Sequence, residues 1–201
     1  MPRRPTELLG QAAPREPSGI GSTGMTRMTW PPPTAHVAVL AVALGAAACD
    51  LKTRRIPNAL TFGAAAVALA VHGTMNGWSG LLLAASGWVV GLTLFFPFFM
   101  LGGMGAGDVK LMAAMGAWLG PVGAAWTALY AAFAGGMMAL MVTLAGGYTG
   151  TALRNVWTML RFWRAAGVRP VEGLTLSSSA GPRLPYALPI AVGVMVTLWL
   201  N

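Results

Sequence analysis

The chain is poor in charge, poorer in acid, and almost without cysteine. Charged residues make up 9% of its 201 residues, against about 25% in an ordinary soluble domain. So few charges cannot coat a globular surface, which excludes a soluble enzyme and points to an integral membrane protein. The single cysteine, Cys49, excludes an intrachain disulfide and a paired CxxC zinc site. Neither His36 nor His72 is near it in sequence, so Cys49 reads as a small buried apolar residue rather than a nucleophile.

What is present is apolar and basic. Hydrophobic residues make up 56% of the chain, the mean hydropathy is +0.64 and the formal net charge is +8. In a soluble protein that charge would raise nucleic acid as a partner. Here most basic residues fall in short segments between apolar runs, so membrane topology explains them and no nucleic acid is expected. Residues 1–33 are different: rich in Pro, Gly, Ser and Thr, with Arg3, Arg4, Glu7, Arg15, Glu16 and Arg27, and ending in Pro31-Pro32-Pro33. No apolar core precedes Thr34, so this is not a signal peptide. Its composition predicts a disordered tail, and Met25 and Met28 offer alternative starts.

A spanning helix takes about 20 apolar residues. The first candidate covers 35–49; Lys52-Thr53-Arg54-Arg55 follow, and Pro57 stops the helix. The second covers 58–72, with an uncharged turn at Gly73, Asn76 and Gly77. The third covers 81–101, with a kink expected at Pro97. From Val109 to Ala145 the only charge is Lys110. One straight helix there would run about 55 Å, against a hydrocarbon core of about 30 Å, so the chain turns back, most naturally at Gly120-Pro121. That gives a short fourth helix (109–119) and a long fifth (122–145). The sixth covers 184–200, after a basic cytoplasmic loop at about 148–183. Six spans put Lys52, Arg54, Arg55, Lys110, Arg154, Arg161, Arg164, Arg169 and Arg183 on one side, the cytoplasm by the positive-inside rule. The tail arginines are the exception. In the loop, 153–164 carries Arg154, Arg161 and Arg164 along one stripe and Val156, Trp157, Leu160 and Trp163 largely on the other. This suits either a helix lying on anionic lipid or a solvated extension of the fifth span.

Two aspartates stand out against this background, Asp50 and Asp108. A carboxylate at the centre of a membrane helix costs roughly 2.5–3.5 kcal/mol on insertion scales. The span parity places both on the cytoplasmic face. A carboxylate pair can hydrolyse a peptide without metal: one, ionised, takes a proton from water, and the other, protonated, donates to the scissile carbonyl. Proximity enforces that division, because like charges a few Å apart cannot both ionise easily. Gly105-Ala106-Gly107 permits backbone that a bulky residue forbids and lets a substrate strand approach. Each residue also has a plainer reading. Asp108 is an N-cap, Asp50 an interfacial charge with solvated partners, Lys110 a snorkelling cation, and Pro57-Asn58 a helix restart. A transporter or proton relay would also use membrane carboxylates, though nearer mid-membrane, and a non-catalytic assembly subunit stays open.

The joint pattern is more specific than its parts. DLKTRRIPN (50–58), GGMGAGDVKLMAAMGAWLG (102–120) and LPYALPIAVG (184–193) together closely resemble the prepilin peptidases, the GxGD-type aspartic peptidases of bacterial membranes. The resemblance implies an all-α polytopic membrane protein of about six helices with the GxGD peptidase fold, lying in the bacterial inner membrane. It implies Asp50 and Asp108 as catalytic residues that cut the short basic leader from type IV pilin-like precursors at the cytoplasmic face, with no metal or other cofactor. Gly105 and Gly107 take the place of the motif glycines, Lys110 that of a frequent lysine positioning substrate or carboxylate, and Pro57, Asn58, Pro185 and Tyr186 fall in matching motifs. Larger members carry a cytoplasmic domain with paired CxxC motifs and also N-methylate the new pilin terminus. The interval from Asp50 to Asn58 has no room for such a domain, so peptidase activity alone is expected, as in the short members serving Flp (tight-adherence) pili.

Overall fold

The computed structural model describes residues 33–171 and 184–200. Of the expected tail only Pro33 falls among them, as the first residue of a helix; the rest of it, and the C-terminal part of the basic loop with Arg183, lie outside the described residues. Those residues form five helices and no strand: α1 (Pro33–Thr53), α2 (Asn58–Met100), α3 (Ala106–Ala145), α4 (Thr149–Ala166) and α5 (Ala187–Leu200). Helices α1, α2 and α3 are long and apolar enough to cross a membrane, and α5 is a shorter apolar helix.

Two of these helices are longer than a bilayer is thick, and each is broken once. At 1.5 Å per residue, α2 and α3 would each run about 60 Å if straight. Gly77 (φ 59°, ψ −142°) interrupts α2, and Gly120 (φ 69°, ψ 177°) interrupts α3. Both sit at positive φ, where a side chain would strain the backbone, and Pro121 lacks the N–H that would continue the ladder across the second break. Helix α3 is therefore broken where the turn at Gly120-Pro121 is expected. The turn expected at Gly73, Asn76 and Gly77 narrows to a break at Gly77, so the helix before it runs on to residue 76. Pro97 does not produce the expected kink. It lies in the last turn of α2, the dihedrals around it stay helical, and the helix ends at Met100.

Segment 111–120 is buried on every side, which makes the first half of α3 the central post of the molecule. Leu111, Met112 and Met115 on it, Val39 and Ala43 on α1, and Ile190 and Val194 on α5 share one core. Its closest packing is between the second half of α2 and this post. A Cβ on Gly87 would collide with the Gly116 carbonyl oxygen, and one on Gly116 with that of Gly87. Small residues that let two backbones touch in this way are the usual means of joining membrane helices. At the far end of the post the buried His72 Nε2 lies 3.3 Å from the Trp118 carbonyl oxygen. Along α5, the Thr127 hydroxyl bonds that of Thr197 at 3.0 Å. The outward faces of α2 and α3 expose Phe96, Phe98, Phe133, Met137, Leu140 and Leu144, apolar surface of the kind that lipid covers.

Helix α4 is a separate element, not an extension of α3. The chain closes α3 with Gly146 N–H to the Val142 carbonyl (2.9 Å), passes Gly147 at φ 70°, and restarts at Thr149. None of its residues is buried. The last helix starts at Ala187 rather than Leu184, because Leu184, Pro185 and Tyr186 form the turn that leads into it.

Candidate active site

Asp50 lies in the last turn of α1. Its carbonyl accepts the Arg54 N–H at 2.8 Å, and Arg54 then leaves the helix at φ 53°. Residues 54–57 make the whole connection to α2. Pro57 (φ −60°, ψ 133°) is the N-cap of α2, and its carbonyl accepts the Leu60 N–H at 3.0 Å, which makes Pro57-Asn58 the helix restart its sequence suggests. This short link keeps the end of α1 and the start of α2 together.

Asp108 sits in the first turn of α3, at its third position rather than at the N-cap. Gly105 is the cap residue. The Gly105 N–H donates to Asp108 Oδ2 at 3.2 Å, and the Asp108 N–H donates to the Gly105 carbonyl, also at 3.2 Å. The carboxylate therefore holds one of the otherwise unpartnered donors at a helix start. Gly105 has extended backbone (φ −80°, ψ 150°), and neither it nor Gly107 is at positive φ. The expectation that these glycines supply forbidden backbone is corrected. That conformation falls on Gly102 (φ 72°), while Gly105 and Gly107 serve by leaving space. A Cβ on Gly105 would stand 3.2 Å from Asp108 Oδ2, and one on Gly107 would stand 3.4 Å from Ile56 Cβ.

The two aspartates face one cavity of about 400 Å³, lined by Asp50, Arg54, Arg55, Ile56, Pro57, Asn58, Ala106, Gly107, Asp108 and Lys110. Their charges are within interaction range of each other. Asp50 is only 8% exposed and Asp108 is half-buried. The Ala187 N–H, at the start of α5, donates to Asp50 Oδ2 at 3.3 Å. Lys110 Nζ donates to Asn58 Oδ1 at 3.0 Å and sits 5.3 Å from the centre of the Phe62 ring, so two positions expected separately as positioning residues form one pair. Pro185 and Tyr186 do not line the cavity but lead directly into Ala187. Burial, and after it the charge of Asp108, hold the Tyr186 phenol above its usual value, and a Cβ on Gly135 would stand 2.8 Å from its hydroxyl. Cys49 is half-buried rather than fully buried.

Sequence reasoning did not assign Arg54, Arg55, Ile56 or Ala187 to the site. The arginines read only as topology signals, although lying between Asp50 and Asn58 could have marked them. Nothing near Ala187 in sequence announces Asp50. Chemically, the cavity offers two carboxylates, three cations and an amide, enough for proton transfer to and from water and for holding a polar backbone. Among the described residues no three His, Cys, Asp or Glu side chains gather as a metal-binding group. A larger groove of about 640 Å³ runs along α4, but apart from Arg154 its walls are Gly150, Leu153, Val156, Trp157 and Leu160, and it has no group for acid–base work.

The family model of the type IV leader peptidases matches residues 37–140. The matched stretch contains Asp50, Asn58, Asp108 and Lys110 and stops before Pro185-Tyr186. Comparison with curated proteins and with solved structures returned no match. With just over half of its length matched, and with both aspartates of the cavity inside the match, the chain belongs to the type IV leader peptidase family.

Proposed function

We propose that this protein is an aspartic endopeptidase that removes the basic leader from type IV pilin-like precursors, using Asp50 and Asp108 as a general acid–base pair. The observation that carries the reading is that the two aspartates, 58 residues apart in sequence, line one cavity within range of each other's charge. In the proposed cycle an ionised aspartate takes a proton from water, and the water oxygen bonds to the scissile carbonyl carbon. The carbonyl oxygen takes the proton of the other aspartate. Collapse of the resulting diol breaks the C–N bond. The first aspartate gives its proton to the leaving nitrogen, and the second recovers one from a diol hydroxyl. Atoms balance, and both groups return to their starting states.

The proposed setting is the bacterial inner membrane, crossed six times, with the cavity on the cytoplasmic side. Support comes from the breaks at Gly77 and Gly120, which divide α2 and α3 into segments of roughly 21–38 Å instead of about 60 Å, and from Lys52, Arg54, Arg55 and Lys110 clustering at the cavity end. The four-residue link 54–57 leaves no room for an inserted domain, which favours peptidase activity without N-methylation and a Flp-type precursor. Helix α4 fits a membrane surface: Leu153, Val156, Trp157 and Leu160 are exposed along one stripe beside Arg154 and Arg161, so its proposed partner is anionic lipid.

Coexpression with a pilin-like precursor tests the activity. Asp50→Asn and Asp108→Asn should each slow cleavage by at least about 10²–10⁴-fold, read as a mobility shift, while both variants still accumulate in the membrane. Cleavage at the wild-type rate in either one rules the pair out.

A further inference from the structure

The two carboxylates are held in different ways. Asp108 is held locally, by the Gly105 N–H of its own helix start. Asp50 is held from 137 residues away, by the Ala187 N–H at 3.3 Å. Its position makes that contact consequential. Asp50 lies in the last turn of α1, where the negative end of the helix dipole disfavours a carboxylate, and its 8% exposure leaves little water to solvate it. Ala187 is the first residue of α5, so its N–H is among the donors a helix leaves without an internal partner, at the dipole's positive end. The turn that presents it is fixed by Leu188 N–H to the Pro185 carbonyl (3.2 Å) and Ile190 N–H to the Tyr186 carbonyl (3.3 Å). The other charged or titratable groups near Asp50 include Cys49 and Lys52 on its own helix, Arg54 and Arg55 on the link, and Asp108 and Lys110 on α3; Tyr186, before α5, feels the charge of Asp108. Lys110 is engaged by Asn58.

We infer that the first turn of α5 is a positioning element for catalysis: the Ala187 N–H, a donor at a helix start, fixes the Asp50 carboxyl group in the cavity it shares with Asp108. The inference rests on the two-aspartate reading above. It also gives the Pro185-Tyr186 turn, outside the matched family stretch, a physical task, which is to aim one amide at Asp50.

The test is the split between kcat and KM for precursor cleavage by the full-length protein in lipid nanodiscs. Ala187→Pro removes the N–H at a position where helices accept proline. Replacing the Ala187 amide by an ester removes it without adding a ring, and carries the test where the proline variant does not accumulate. A carboxyl group released from its donor shifts by up to about 1 Å, so kcat should fall by roughly 10- to 100-fold with KM within about twofold of wild type, while Ala187→Gly, which keeps the N–H, loses less than the ester does. Wild-type kcat in the ester variant overturns the inference, as does a loss confined to KM in a variant that melts like wild type. Failure of the underlying reading is distinct, because it would appear as cleavage surviving Asp50→Asn.

Discussion

Gly105 and Gly107 flank one alanine in the same motif, yet the structure predicts different consequences for adding a methyl group to each. Gly105 has φ −80° and ψ 150°, backbone open to any residue, so Gly105→Ala carries no conformational strain. Its methyl would stand 3.2 Å from Asp108 Oδ2, inside the 3.5–4.0 Å of a comfortable carbon contact. The carboxylate must therefore retreat by a few tenths of an ångström, which also disturbs the bond it accepts from the Gly105 N–H. A misplacement of about 1 Å in a catalytic group costs about 10²-fold, so a retreat of this size should cost roughly three- to tenfold, or up to about 1.4 kcal/mol of barrier. At Gly107 the new methyl would meet Ile56 side-chain carbons at 3.4–3.6 Å, ordinary contact with a flexible neighbour, and Gly107→Ala should stay within about threefold of wild type. The assay is single-turnover cleavage of a pilin-like precursor in membranes, with variant levels matched by immunoblot. The loss should fall on kcat rather than KM, because the methyl disturbs the carboxylate proposed to react and not the outer cavity. The reasoning is refuted if Gly105→Ala cleaves at the wild-type rate, or if Gly107→Ala is the slower of the two.

Two further predictions concern the cavity rim and α4. Because Lys110 Nζ and Asn58 Oδ1 form one pair at 3.0 Å, Lys110→Met and Asn58→Ala should be non-additive; a double variant whose cleavage loss equals the product of the two single losses would show that the residues act separately. If α4 lies on anionic lipid, hydrogen exchange over 149–166 should be slower in nanodiscs containing phosphatidylglycerol than in pure phosphatidylcholine, and joint replacement of Arg154, Arg161 and Arg164 by Gln should erase the difference. Equal exchange in the two lipids would refute the lipid contact.

Local chemistry was legible in the sequence, and long-range geometry was not. The break at Gly120 was readable because two constraints met there: an apolar run too long for a bilayer, and a Gly-Pro pair inside it. The break at Gly77 was blurred because Gly73 and Asn76 also look like turn residues. In the structure both lie within the helix, where the neighbouring Thr74 hydroxyl bonds the Ala70 carbonyl at 2.9 Å. Pro97 misled for the opposite reason: three residues before the helix end it has little helix left to bend. At the site, Asp50 and Asp108 were findable because a carboxylate among apolar residues is conspicuous. Ala187 was not, since it contributes through its backbone N–H, which every residue but proline has. The Lys110–Asn58 pair was half legible: both residues drew attention, but only the short 54–57 link and the docking of α3 bring them within 3.0 Å.

Helix lengths bear on how a membrane-bound pair of carboxylates can meet both water and substrate. The first half of α3 before Gly120 has about 21 Å of helix. It starts at the cavity and falls about 9 Å short of a 30 Å hydrocarbon core. With six crossings as proposed, and the far end of this half-helix at the opposite face, the cavity floor is recessed into the near side of the membrane. Recession of a carboxylate is tolerable only in a wet or polar pocket, and Arg54, Arg55, Asn58 and Lys110 line the cavity beside the two aspartates. The geometry of the proposed substrate fits the same requirement. A scissile bond between a basic leader and an apolar helix lies near the level where lipid headgroups give way to hydrocarbon. A pocket sunk to that level lets the leader stay in water while the first turn of the apolar helix stays in lipid, so the bond reaches the aspartates without either segment crossing into the wrong phase.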